Sequence, residues 1–101
     1  MDIIFKNKEL EKLYETGKSR KLKLPQDIIK EYSFCVQSII DAVDIYDLWN
    51  DKSLNFEKLT NTERYSMRLK RKYRLEMTID WQNESYTIGI FGLTDITNHY
   101  Q

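Results

Sequence analysis

Between Arg64 and Arg74 the chain carries six cations in eleven residues (Arg64, Arg68, Lys70, Arg71, Lys72 and Arg74) and no acid. An arginine offers a planar fork of N–H donors that fits two oxygens of a phosphate at once, so the run points to a phosphate-like anion. The surrounding alternation sharpens its placement. Tyr65, Met67 and Leu69 alternate with Ser66, Arg68 and Lys70, while Tyr73, Leu75, Met77, Ile79 and Trp81 alternate with Arg74, Glu76, Thr78 and Asp80, the period of half-buried strands. For Leu69 and Tyr73 to share a face, the connecting loop must hold an odd number of residues, most simply Lys70-Arg71-Lys72. Positions summing to 142 then face one another, which sets Arg68 opposite Arg74 on the outward face. Their Cβ atoms would lie roughly 5 Å apart, an arrangement that costs stability unless an anion sits between them. The competing reading is a solvated basic hairpin that only protects a sheet edge. Two arginines at one cross-strand position favour the anion site.

The other candidates for chemistry lie at the end of the chain. His99 is the only histidine, so an imidazole acid or base, if the chain uses one, is this residue. It stands between Asn98 and Tyr100, and a tyrosine there can stack on a base or donate a proton. Cys35 falls on the apolar face of a long helical pattern and reads as core, and Trp49 and Trp81 read as packing residues. One cysteine and one histidine make no zinc set, and there is no Gly-rich phosphate loop, nucleophile elbow or spaced carboxylate cluster. No metal and no cofactor are expected.

The elements that must position these groups are readable from periodicity. Ile3, Ile4 and Phe5 suit a short first strand. Asn7 is placed to cap a helix over 8–16, with Gly17 as its C′ residue. A loop follows with four cations and no acid (Lys18, Arg20, Lys21, Lys23). Pro25 can open a second helix, in which Ile28, Tyr32, Cys35, Val36, Ile39, Ile40 and Val43 keep helical spacing. Ile45, Leu48 and Trp49 allow one last turn. After residue 54 the period is two, with a third strand expected where Tyr86, Ile88 and Ile90 alternate with Thr87, Gly89 and Phe91, followed by a bend at Thr94. Two N-terminal helices packed on a small twisted antiparallel sheet, an α+β fold, is the expected architecture.

The 101 residues suit one domain, residues 1–101, and 41 % hydrophobic with 32 % charged residues suits a globular chain. Sixteen cations balance 16 acids, yet outside 64–74 ten cations meet 16 acids, a net −6. The neutral chain is strongly polarised. Its longest uncharged stretches, 32–40 and 85–94, are nine and ten residues, against about 18 needed to cross a bilayer. The acid at Asp2 does not suit an export signal, and the lone cysteine suits a reducing compartment, so a cytoplasmic, membrane-free protein is expected.

With these residues in place, the chain resembles the RelE/ParE superfamily of toxin–antitoxin toxins, and within it the HigB branch of plasmid maintenance killer proteins. The resemblance is carried by Ile3-Ile4-Phe5 with Leu10, Leu13-Tyr14-Glu15 and Gly17; by Leu54-Asn55-Phe56-Glu57 with Leu59; by Tyr65-Ser66-Met67-Arg68-Leu69 leading to Tyr73-Arg74-Leu75-Glu76; and by Asp95-Ile96-Thr97-Asn98-His99-Tyr100. It spans nearly the whole chain in order.

The resemblance implies a ribosome-dependent mRNA endonuclease, an mRNA interferase that arrests translation and is silenced by a HigA-like helix-turn-helix antitoxin. Cleavage without metal means attack by the RNA's own 2′-hydroxyl, which needs a proton acceptor, a cation for the crowded phosphate and a donor for the leaving oxygen. Arg74, His99 and Tyr100 match the catalytic positions, with Arg64, Arg68, Lys70, Arg71, Lys72 and Asn98 as RNA-binding residues. Family members carry a His-Pro-Leu-Lys-Gly-like segment before the central strands. Here that stretch reads Leu54 to Asn61, with Lys58 as the candidate for the lysine. Other branches end acid-Tyr-His, so the order Asn98-His99-Tyr100 leaves proton transfer open between the last two. The alternative from the same superfamily is a ParE-like inhibitor of DNA gyrase that cuts nothing. A β-ribbon reading DNA directly is disfavoured, because this ribbon is needed inside the sheet.

Overall fold

The structure is a computed structural model and describes residues 1–98. Strand β1 (Ile3–Phe5) leads into helix α1 (Lys8–Thr16), which starts where the Asn7 side chain accepts from the Glu9 amide at 2.9 Å. It ends at Gly17, whose φ of 73° is the left-handed conformation that glycine adopts without strain. Helix α2 (Gln26–Asp41) follows Pro25. It stops short of Val43, which the apolar spacing places inside it: Ala42 is already extended, and Val43 is 78 % exposed. The Met1 ammonium instead closes the helix, donating to the carbonyls of Ile39, Ile40 and Ala42. The last turn seen in the sequence is a separate helix α3 (Ile45–Trp49), begun by Asp44, which accepts from the Tyr46 amide.

A 3₁₀ turn (Lys52–Leu54) leads to β2 (Glu57–Lys58), β3 (Arg64–Lys70), β4 (Tyr73–Trp81) and β5 (Gly89–Asn98). The five strands lie in the order β1-β5-β4-β3-β2. The expectation of an antiparallel sheet is corrected at one edge, where β1 runs parallel to β5 with Ile3 beside Phe91. Three residues carry no signal of direction, and the crossover through the helices delivers the strand in parallel sense.

The third strand also differs from expectation. It begins at Gly89 and runs to Asn98, and Phe91 and Leu93 point into the core while Tyr86 and Ile88 are exposed. Between Glu76 and Met77 the β4–β5 register slips by one at Thr94, so the expected bend there is a bulge inside a continuing strand. The core joins Leu10 and Leu13 of α1 and Ile28, Tyr32, Cys35, Val36 and Ile39 of α2 to Met67, Leu69, Leu75, Met77, Phe91 and Leu93 of the sheet. Tyr32, fully buried, donates its hydroxyl to the Leu10 carbonyl at 2.6 Å, and burial raises its pKa.

Candidate anion-binding site

The outward face of the sheet is built from the polar half of each alternation. Arg68 of β3 stands directly opposite Arg74 of β4, as the strand parity requires, and Arg74 stands opposite Thr97 of β5. The route to that pairing differs from the odd loop. Lys70 stays in β3 paired with Tyr73, the turn is Arg71-Lys72, and the parity is absorbed by a register shift between Arg68 and Lys70. The turn is bent through non-glycine residues of positive φ, Lys70 at 110° and Arg71 at 54°. Arg71 is tied by an ion pair to Asp27 at the start of α2, within four residues of Lys23 and the cationic loop before it. Arg68, Arg71, Lys72, Tyr73 and Arg74 line a cleft of about 210 Å³.

The carboxylates on this face were not assigned a role by the sequence. Glu57 of β2 reaches across to Arg74, with Oε1 2.9 Å from Nη1, so Arg74 has an internal anion already. Arg68 forms no ion pair among the described residues. Lys58 pairs with Tyr65 and thus lies on the other side of the strand from Glu57; its ammonium is 4.0 Å from Glu63 and takes no place beside the two arginines.

Arg64, the first cation of the run, is engaged elsewhere. Its Nη1 donates to Glu76 Oε1 at 3.2 Å and to Thr94 Oγ1 at 3.0 Å, and lies 3.6 Å from Asp95. Glu76 is only 8 % exposed although it sits on the outward face, because Arg64, Thr94 and Thr97 close over it; Thr97 donates to its Oε2 at 2.9 Å. The bulge at Thr94 makes this closure possible by turning its hydroxyl onto the Glu76 carbonyl.

The structure therefore brings together Arg68, Arg71, Lys72 and Arg74 around one cleft, while Lys70, paired with Tyr73 at the end of β3, does not line it and Arg64 is engaged by Glu76 and Thr94. Asn98, at the end of β5, pairs with Tyr73, one of the residues that line the cleft. His99 and Tyr100 lie outside the described residues. Cys35 is core, as its spacing predicts: burial pushes the thiol up to about 12, and its Sγ sits 4.0 Å behind the Arg68 carbonyl. Glu57 is the residue that sequence reasoning passed over, since a two-residue strand has no periodicity to assign its face.

No family model matches the chain, and no curated protein matches it. Among solved structures it is similar to the YoeB/ParE toxin from Agrobacterium tumefaciens, with a TM-score of 0.60 over 99 % of this chain and 100 % of that one, at 10 % identity. The chain shares the fold of that toxin. At that identity the likeness concerns the backbone arrangement alone; it agrees with the toxin fold that the resemblance implies and does not extend to the HigB branch.

Proposed function

We propose that the chain is the toxin of a type II toxin–antitoxin system, of the HigB-like branch, and that it cleaves mRNA on the ribosome in the cytoplasm without a metal until a HigA-like helix-turn-helix antitoxin neutralises it. The observation that carries this reading is the Arg68–Arg74 cross-strand pair in a cationic cleft at the mouth of a toxin-type fold. In the reaction the RNA 2′-hydroxyl loses a proton and attacks the adjacent phosphorus, and the bond to the 5′ oxygen breaks as that oxygen gains a proton. Arg68 and Arg74 stabilise the extra charge on the phosphate oxygens, where a bidentate fork is worth more than a point charge. Glu57 orients Arg74 at the cleft and is the proton acceptor beside it. His99 or Tyr100 gives the proton to the leaving oxygen, with Lys70, Arg71, Lys72 and Asn98 along the RNA path.

The test is cleavage of ribosome-bound mRNA by the purified protein, run beside a gyrase supercoiling assay. Wild type should cut, Arg74→Ala should not, and Arg74→Lys should recover little. Tyr100→Phe against His99→Gln then assigns the proton donor by which change costs more. Blocked supercoiling with intact mRNA would replace this reading by the gyrase-inhibitor alternative.

A further inference from the structure

All 16 cations of the chain lie in 1–30 and 52–74; residues 31–51 carry five acids and residues 75–101 four, with no lysine or arginine in either. The fold joins these two segments at one end of the molecule, where the Ile45 amide at the start of α3 donates to the Thr87 carbonyl at 2.8 Å. Around that junction the large apolar side chains are uncovered: Val43 just before α3 and Tyr46 and Trp49 within it are 78, 56 and 42 % exposed, and Tyr86 is 65 % exposed. A file of rings runs beneath them from Trp49 through Tyr65 and Trp81 to Tyr86, with centroids 6.5, 6.4 and 5.8 Å apart. Single exposed apolar residues are ordinary, but four gathered at one junction form a patch of the kind that partners cover.

The patch lies far from the arginine cleft. The hairpin turn is bound to the first turn of α2 through Asp27, whereas α3 follows the other end of that 16-residue helix, about 24 Å away along its axis. The charges around the patch are of one sign: Asp41, Asp44, Asp47 and Asp51 flank the α3 side, Asp80 and Glu84 the other, and none of these six forms an ion pair among the described residues. We propose that this surface docks a basic amphipathic helix of a partner protein, whose apolar side covers Tyr46, Trp49 and Tyr86 while its lysines and arginines meet the surrounding carboxylates. Nucleic acid does not suit a surface of this sign. A second copy meeting it patch to patch would set carboxylates against carboxylates. The proposal does not depend on what the arginine cleft does.

The experiment uses the full chain and a synthetic helix with leucines on one face and lysines on the other, followed by tryptophan fluorescence and calorimetry. The expected result is one-to-one binding with a blue shift of the tryptophan emission, weakening as salt is raised. Tyr46→Ser, an exposed position, should weaken it about tenfold or more. So should the pair Asp47→Asn and Asp51→Asn, whose amide oxygens keep the backbone hydrogen bonds made by the aspartates. A matching peptide with glutamates in place of lysines should not bind. Equal binding to wild type and Tyr46→Ser overturns the proposal, and so does sedimentation showing a dimer that Tyr46→Ser dissolves, which would give the patch to a second copy.

Discussion

Two arginine groups share the outward face of one sheet and end in opposite conditions. Arg64 and Arg74 come from the same basic run, and each meets a glutamate, Glu76 at 3.2 Å and Glu57 at 2.9 Å. Around Arg64 the bulged strand adds Thr94, Thr97 and Asp95, so the carboxylate is enclosed and its hydrogen bonds are filled from within the protein. Arg74 meets Glu57 of a two-residue edge strand that reaches it across β3, the pair is half exposed, and Arg68 beside it adds a charge with no ion pair among the described residues. Residue type is therefore a poor guide to role on this face. What differs between the two pairs is the carboxylate: neighbouring strands enclose Glu76 and leave Glu57 half-exposed.

The largest expected effect tests the open group. Arg74→Ala should reduce cleavage by about two to three orders of magnitude, the usual consequence of removing a preorganised charge from a transition state. The melting temperature should barely change, because a half-exposed ion pair contributes about 1 kcal/mol or less. A collapse in stability would place Arg74 with Arg64 and erase the contrast.

Glu76→Ala should do the reverse. Removing a buried carboxylate that accepts from Arg64 and Thr97 should cost about 2–3 kcal/mol in urea unfolding. The folded fraction should keep its cleavage activity within a few-fold.

Cys35 tests the layer behind the open group. The folded thiol stays protonated up to about 12, whereas an ordinary thiol ionises near 9.0, so above that pH the folded state holds a proton that the unfolded chain has released. Stability must therefore fall as pH rises from 9 towards 12, and this component should vanish in Cys35→Ala. At neutral pH the thiol should resist alkylation until the protein unfolds. The smallest effect concerns the turn: Lys70→Gly relieves a positive φ and should raise stability by about 1 kcal/mol, whereas the same change at Arg68, whose φ is not positive, should lower it.

The sequence alone was sufficient wherever a signal repeats. The Asn7 and Gly17 caps of α1, the apolar stripe of α2 and the alternation through β3 and β4 are all set by local stereochemistry, and parity alone sets Arg68 against Arg74. It also located Cys35 in the core. Tertiary structure decided the rest, for reasons that are physical. β1 and β2 are too short for a period, so the parallel pairing of the one and the placing of Glu57 by the other depend on which strand they meet. In β5, Ile88 and Ile90 suit the core as well as Phe91 and Leu93 do, and only the packing of α1 and α2 chooses between the two sets. The bulges follow the same logic: a shift of one residue between Arg68 and Lys70, and another at Thr94, leave no trace in composition, yet the second turns Thr94 onto Glu76 and helps enclose that carboxylate, while Glu57, the partner of Arg74, stays half-exposed.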